Sequence, residues 1–106
     1  MQQLGSLTQP GQFQRALREG RRSSLPGVVA YVSPSSAGLR LGLSVRASGA
    51  VQRNRVKRRL REAFRIAAPL APAGADIVVR ADERASVTPF QELEELARRA
   101  VGGEAS

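Results

Sequence analysis

The chain of 106 residues contains no Cys and no His, and its one Met is Met1. Without thiol or imidazole it has no disulfide, no zinc-finger ligand set, no thiol nucleophile and no histidine general base. No apolar run reaches the ~20 residues that a membrane helix needs. Residues 1–10 also lack the basic and then apolar stretches of a signal peptide. The expectation is a soluble cytoplasmic protein with no membrane partner. What remains is globular in composition, 42% hydrophobic and 25% charged, and long enough for one domain around one core. That domain is expected to span residues 1–106, with 102–106 as a frayed tail.

Acidic residues are in short supply. Lys plus Arg number 17 against 9 Asp plus Glu, a formal net charge of +8, and such a chain attracts phosphate. The excess is local. Residues 40–65 hold Arg40, Arg46, Arg53, Arg55, Lys57, Arg58, Arg59, Arg61 and Arg65 against Glu62 alone, nine minus one, which equals the whole net charge of +8. Elsewhere eight basic residues are offset by eight acids. Like charges at neighbouring helical positions repel, so a concentration of this kind calls for a gain elsewhere, such as binding.

Periodicity divides the chain into short elements. A first helix is expected from Thr8 or Pro10 to Glu19, with Phe13, Ala16 and Leu17 at i, i+3, i+4 and Gly20 as a left-handed stop. A strand follows at Val28–Val32, after Pro26-Gly27 and before a Ser33-Pro34-Ser35-Ser36 turn. It faces Val29 and Tyr31 one way and Val28, Ala30 and Val32 the other. Residues 21–25 could add an edge strand. Arg40–Val45 alternates with Leu41, Leu43 and Val45 inward, and the small Gly42 and Ser44 on the opposite face leave room for another backbone. A helix then runs from Ala50 or Val51 to Ala67 or Ala68, before Pro69. Asp76–Val79 reads as a short central strand that Asp76 opens as a turn or cap residue. Thr88-Pro89-Phe90-Gln91 matches a capping box, opening a helix with Phe90, Leu93, Leu96, Ala97, Ala100 and Val101 on one stripe. The fold class is thus α/β (α+β): a two-layer sandwich of three helices on a small mixed sheet, in the order α-β-β-(β)-α-β-α.

At about 100° per residue, Val56, Leu60, Ala63, Phe64 and Ala67 gather on one side of the basic helix. Asn54, Arg58, Arg61 and Arg65 line the other, flanked by Arg55 and Lys57, while Arg53 and Arg59 fall near the apolar edge. A row of guanidinium forks suits a phosphate backbone. The apolar stripe is too small and β-branched for a membrane anchor, which favours nucleic acid over a lipid surface.

The stretch Arg40 to Phe64 carries a more specific signal. RLGLSV is followed by Gly49-Ala50-Val51 and then by Arg53-Asn54-Arg55-Val56-Lys57-Arg58-Arg59-Leu60-Arg61-Glu62-Ala63-Phe64. This resembles the protein component of bacterial ribonuclease P, whose hallmark is an Arg-Asn-Arg helix after an RxGxSV strand. Supporting positions are Phe13, Gly20, Tyr31, Asp76–Val79, Phe90 and Leu93. The resemblance implies a left-handed βαβ crossover at the Arg-Asn-Arg helix, against the usual hand of such connections. It implies as partners the ribonuclease P RNA, one protein per catalytic RNA, and the 5′ leader of precursor tRNA. The RNA would be the catalyst, and Mg²⁺ would be required by the ribonucleoprotein, with no cofactor bound by the protein alone and no catalytic residue in this chain. Arg46, Arg53, Asn54, Arg55, Lys57, Arg58, Arg61 and Arg65 would bind RNA, and Phe13, Leu17 and Tyr31 would line the leader cleft.

Three features depart from the family pattern. The strand-to-helix turn, Arg46-Ala47-Ser48-Gly49-Ala50-Val51, is about two residues shorter and less basic. Leu17 stands where a second aromatic is usual, removing a stacking platform worth roughly 1–3 kcal/mol per base. Arg80 and Asp82 occupy positions that are usually apolar and basic. Two rival readings are a generic or ribosomal RNA-binding domain and a stand-alone nuclease, the latter opposed by the lack of clustered acids for two-metal chemistry.

Overall fold

The structure is a computed structural model and describes residues 3–102. In chain order the elements are β1 (Leu4–Ser6), α1 (Pro10–Glu19), β2 (Arg21–Leu25), β3 (Val28–Pro34), β4 (Leu39–Arg46), α2 (Ala50–Ala67), β5 (Ala75–Asp82) and α3 (Phe90–Gly102), with 3₁₀ turns at Ala68–Leu70 and Glu83–Ser86. Of the expected tail, Gly102 is the last helical residue, and 103–106 lie outside the described residues.

The five strands form one mixed sheet in the order β1-β4-β5-β3-β2. β2, β3 and β5 pair antiparallel, whereas β1 and β5 both run parallel to β4. Because β4 and β5 are parallel neighbours, α2 is the helix of a β-α-β crossover. The β2–β3 hairpin closes through Pro26-Gly27, where Gly27 takes φ +82°, a conformation open to Gly at little steric cost.

The alternation along β5 explains the layers. Ile77 and Val79 point to one face, where they pack with Val28, Ala30 and Val32 of β3 and with Val56, Leu60, Phe64, Leu93 and Leu96 from α2 and α3. Val78 points to the other face, where it meets Ala16 of α1 and Leu7, with Phe13 and Leu17 against them. α2, α3 and the sheet make the two expected layers, and α1 adds partial cover to the far face. All five residues of the α2 stripe, Val56, Leu60, Ala63, Phe64 and Ala67, are buried.

Several local expectations are corrected. β1 has no counterpart in the sequence reading: three residues are too few to show alternation, and the strand exists because β4 offers it a parallel edge. β3 runs on through Ser33 and Pro34, because Ser33 and Pro34 still pair with Asp76 and Ala75. Gly20 is extended, φ −75°, ψ 150°. It is a glycine because a Cβ there would strike the Ala16 carbonyl and come within 3.0 Å of the Val32 nitrogen. The space over Gly42 is filled by the Phe13 ring, which a Cβ would penetrate, and not by a backbone. The capping box does not form. Thr88 Oγ1 donates to the Arg84 carbonyl at 3.1 Å, and α3 begins at Phe90 with the Pro89 carbonyl accepting from Glu92 and Leu93.

Asp76 is also reassigned. It lies within β5, directly across from Arg40 of β4. Arg40 grips it in a fork, Nε to Oδ1 at 2.8 Å and Nη2 to Oδ2 at 3.1 Å. With the Asp76 side chain 7% exposed and that of Arg40 23% exposed, each ion is satisfied mainly by the other, as a desolvated pair requires.

Candidate RNA interface

The cations of residues 40–65 fall into two groups once their partners are known. Three are engaged: Arg40 with Asp76, Arg59 through donation to the Ala85 and Thr88 carbonyls, and Arg65 with the Glu62 carboxylate one helical turn back. Arg59 therefore ties α2 to the Glu83–Ser86 turn and the start of α3, supplying donors to carbonyls that no strand or helix satisfies. The hydrogen bond from Arg65 holds the Glu62 carboxyl below its ordinary range. Arg46, Arg53, Arg55, Lys57, Arg58 and Arg61 have no acid within salt-bridge distance among the described residues.

α2 presents these groups as a crest with two flanks. Asn54, Arg55, Arg58, Arg61 and Arg65 are exposed, and Arg53 and Lys57 are half-buried at the margins. On one flank Lys57, Arg61 and Arg65 border a groove of ≈ 430 Å³ that passes around the free edge of β4 to Phe13. It is open because β1 covers β4 only as far as Leu41, leaving the edge at Gly42 and Leu43 unpaired. On the other flank Arg55, Arg58 and the exposed Val51 border a second groove, of ≈ 580 Å³, against Phe90. Helix geometry and strand register thus bring seven of the eight sequence-selected basic or amide positions onto α2. Arg46 stands apart, at the end of β4.

Phe13, Leu17 and Tyr31 all lie on the face of the sheet that α1 crosses. Gly42, Val78 and Tyr31 form one row across β4, β5 and β3, with the Phe13 ring over Gly42 and Ala16 against Val78. α1 ends where Gly20 meets Val32 of β3. The rest of this face is uncovered, and its next row is Ser44, Arg80 and Val29. Phe13, Leu17 and Tyr31 are each half-buried, and Phe13 and Leu17 pack against Leu7, Ala16 and Val78. Sequence reasoning does not select Arg80. The signal for it is the alternation in β5, which turns Val78 and Arg80 to the same side.

Asp82, next along that face, is held by Arg84. The guanidinium hydrogen bond from Arg84, helped by the Arg84 backbone N–H, keeps the Asp82 carboxyl below its ordinary range. Among the described residues no three Asp or Glu side chains gather in a metal-binding group. No described helix is long and apolar enough to cross a membrane.

With this geometry in place, comparison with known proteins decides the family. The family model described as Ribonuclease P matches residues 1–103. The chain belongs to the ribonuclease P protein family. It is 40% identical over 100 residues to the ribonuclease P protein component of Chloroflexus aurantiacus, covering 90% of this chain and 73% of that one. The same component of Acidothermus cellulolyticus is 38% identical over 94 residues, 82% of this chain and 77% of the relative. Among solved structures, the RNase P protein of Thermotoga maritima superposes with a TM-score of 0.74 at 25% identity, covering 95% of this chain and 98% of that one. The Staphylococcus aureus RNase P protein gives a TM-score of 0.67 at 22% identity over 90% of each chain, a likeness of fold.

Proposed function

We propose that this chain is the RNA-docking and leader-binding subunit of a ribonuclease P ribonucleoprotein, which removes the 5′ leader of precursor tRNA, with the RNA subunit as catalyst. The observation that carries the reading is the set of unpaired cations on the crest of α2, continuous through the β4-edge groove with Phe13. Arg53, Asn54, Arg55, Lys57, Arg58 and Arg61 meet the backbone of the ribonuclease P RNA. Guanidinium forks there give bidentate, charge-assisted contacts to phosphate oxygens. Arg65 joins them by exchanging Glu62 for phosphate, a change that costs little because exposed ion pairs are worth about 0–1 kcal/mol.

The leader lies on the half-covered sheet face, where Phe13 and Tyr31 offer ring surface to unpaired bases and Leu17 offers apolar contact without stacking. The ribonucleoprotein requires Mg²⁺, and in this reading RNA groups hold it; the described residues of this chain gather no three carboxylates. The protein raises substrate affinity and leaves the chemical step to its partner. In this reading one protein serves each catalytic RNA. The generic RNA-binding alternative has no support comparable to a family match over residues 1–103.

The test is reconstitution. The folded protein added to its cognate ribonuclease P RNA at low Mg²⁺ should stimulate 5′ cleavage of precursor tRNA, and favour leader-bearing over leaderless tRNA in binding. Cleavage that stays at the level of RNA alone would refute the reading. Cleavage by the protein without RNA would move the catalyst into this chain.

A further inference from the structure

The uncovered half of the α1-side sheet face holds a charge that the fold does not use. Arg80 is the one exposed residue of β5. It lies between Ser44 of β4 and Val29 of β3, and among the described residues no acid is paired with it. Arg46 is on the same face, diagonal to Arg80, and it too is exposed and unpaired. Together with Gly27, Val29, Ser44, Asp82 and Arg84 they line a hollow of ≈ 260 Å³. The Asp82 carboxylate, which lines the same hollow and stands directly across from Arg46, is occupied by the guanidinium and backbone N–H of Arg84. As diagonal neighbours on the sheet the two guanidinium side chains are within reach of each other's charge, and among the described residues neither is paired with an acid. The hollow therefore presents forked donors to an external anion.

Position within the sheet says which anion. The row Gly42–Val78–Tyr31 carries the ring surface of Phe13 and Tyr31, and the row Ser44–Arg80–Val29 is the next on the same face, about 7 Å away by the rise of two strand residues. Apolar ring surface and guanidinium donors one pleat apart match the alternation of base and phosphate along an extended single strand. We propose that Arg80, with Arg46, forms a phosphate-binding site for the 5′ leader of precursor tRNA, at the open end of the cleft beyond the reach of α1. This rests on the function proposed above and adds residues and chemistry to it. Where Leu17 removes a stacking platform, Arg80 supplies a contact of another kind: charge-dependent, salt-sensitive and indifferent to base identity.

A phosphate of the ribonuclease P RNA offers the same chemistry to these donors, and the test separates the two sources. Holoenzyme assembled with the cognate RNA is titrated with precursor tRNAs of increasing leader length and with leaderless tRNA, for wild type, Arg80→Ala, Arg80→Lys and Arg46→Ala. Expected for Arg80→Ala is a loss of affinity of about tenfold, as for a hydrogen bond to a charged group, confined to leaders long enough to reach the hollow. The slope of log K against log salt falls by about 0.7, the value for one single-strand phosphate contact. Arg80→Lys keeps most of the slope and loses part of the affinity, Arg46→Ala gives a smaller loss of the same pattern, and one uncharged methylphosphonate in the leader abolishes the difference between wild type and Arg80→Ala. Equal binding by wild type and Arg80→Ala at every leader length overturns the site, as does a loss seen only in assembly with the ribonuclease P RNA. A wild-type holoenzyme that does not distinguish leader-bearing from leaderless tRNA overturns the proposed function itself.

Discussion

The two faces of the sheet divide the work of this small protein. One face is dry and closed: Val28, Ala30, Ile77 and Val79 pack under α2 and α3, and Leu60, Phe64 and Leu96 are fully buried between the layers. The other is covered by one short helix as far as Gly20, and beyond it lie Tyr31, Val29 and Arg80. The closed face supplies apolar burial, which holds the domain together. The half-open face and the crest of α2 carry aromatic surface and unpaired cations that contribute little to the fold. Residue type alone does not draw this line, since Arg40 and Arg59 are structural whereas Arg58 and Arg80 have no partner among the described residues. The line follows which cations find acceptors inside the chain.

Substitutions test that division in order of expected effect. Leu60→Ala on the closed face should lower unfolding stability by about 2–5 kcal/mol through lost transfer free energy and a residual cavity. Chemical denaturation monitored by circular dichroism measures it. Asp76→Ala should cost about 2–3 kcal/mol, somewhat under the range for breaking a buried pair because Arg40 retains some access to water. If the loss were below that of an average surface change, the Arg40–Asp76 fork would not be a structural element. Arg59→Ala leaves the Ala85 and Thr88 carbonyls without their donors and should cost about 1–2 kcal/mol, with faster amide exchange in the Glu83–Ser86 turn than elsewhere.

The smallest effect is electrostatic. Asp82 has a depressed carboxyl in the folded state, so its contribution to stability is present above its unfolded value and is lost as pH falls through the folded value. Asp82→Asn should therefore reduce stability slightly at neutral pH and flatten the decline on acidification through and below the ordinary carboxylate range. Thermal melts across that range would read it. An identical acid profile in both proteins would remove Asp82 from the account.

How much of this was legible before the structure depends on the range of the interaction. The α2 register was readable because Val56, Leu60, Ala63, Phe64 and Ala67 repeat at helical spacing, and helix burial follows that period directly. The faces of β3 were readable for the same reason, with Val29 and Tyr31 against Val28, Ala30 and Val32. What was hidden depends on partners far along the chain. Asp76 looks like a cap until Arg40, 36 residues away, is placed beside it. Gly20 looks like a left-handed stop until Val32 crosses beneath it, and Thr88 looks like a capping residue until the 3₁₀ turn brings the Arg84 carbonyl within reach. The basic crest was legible as a surface, but which of its cations the fold consumes was not, because Ala85 and Thr88 lie more than 25 residues beyond Arg59.

The central claim is that the exposed crest of α2 is an RNA surface and not a solvated face that carries charge for solubility. Arg58→Ala tests it most directly, since Arg58 is exposed and has no acceptor among the described residues. The measurement is the salt dependence of binding to the cognate ribonuclease P RNA, with stability recorded in parallel. The account predicts unfolding stability within about 0.5 kcal/mol of wild type, weaker binding, and a slope of log K against log salt reduced by about 0.7–0.9, one phosphate contact. An unchanged affinity and slope in a folded variant would contradict it.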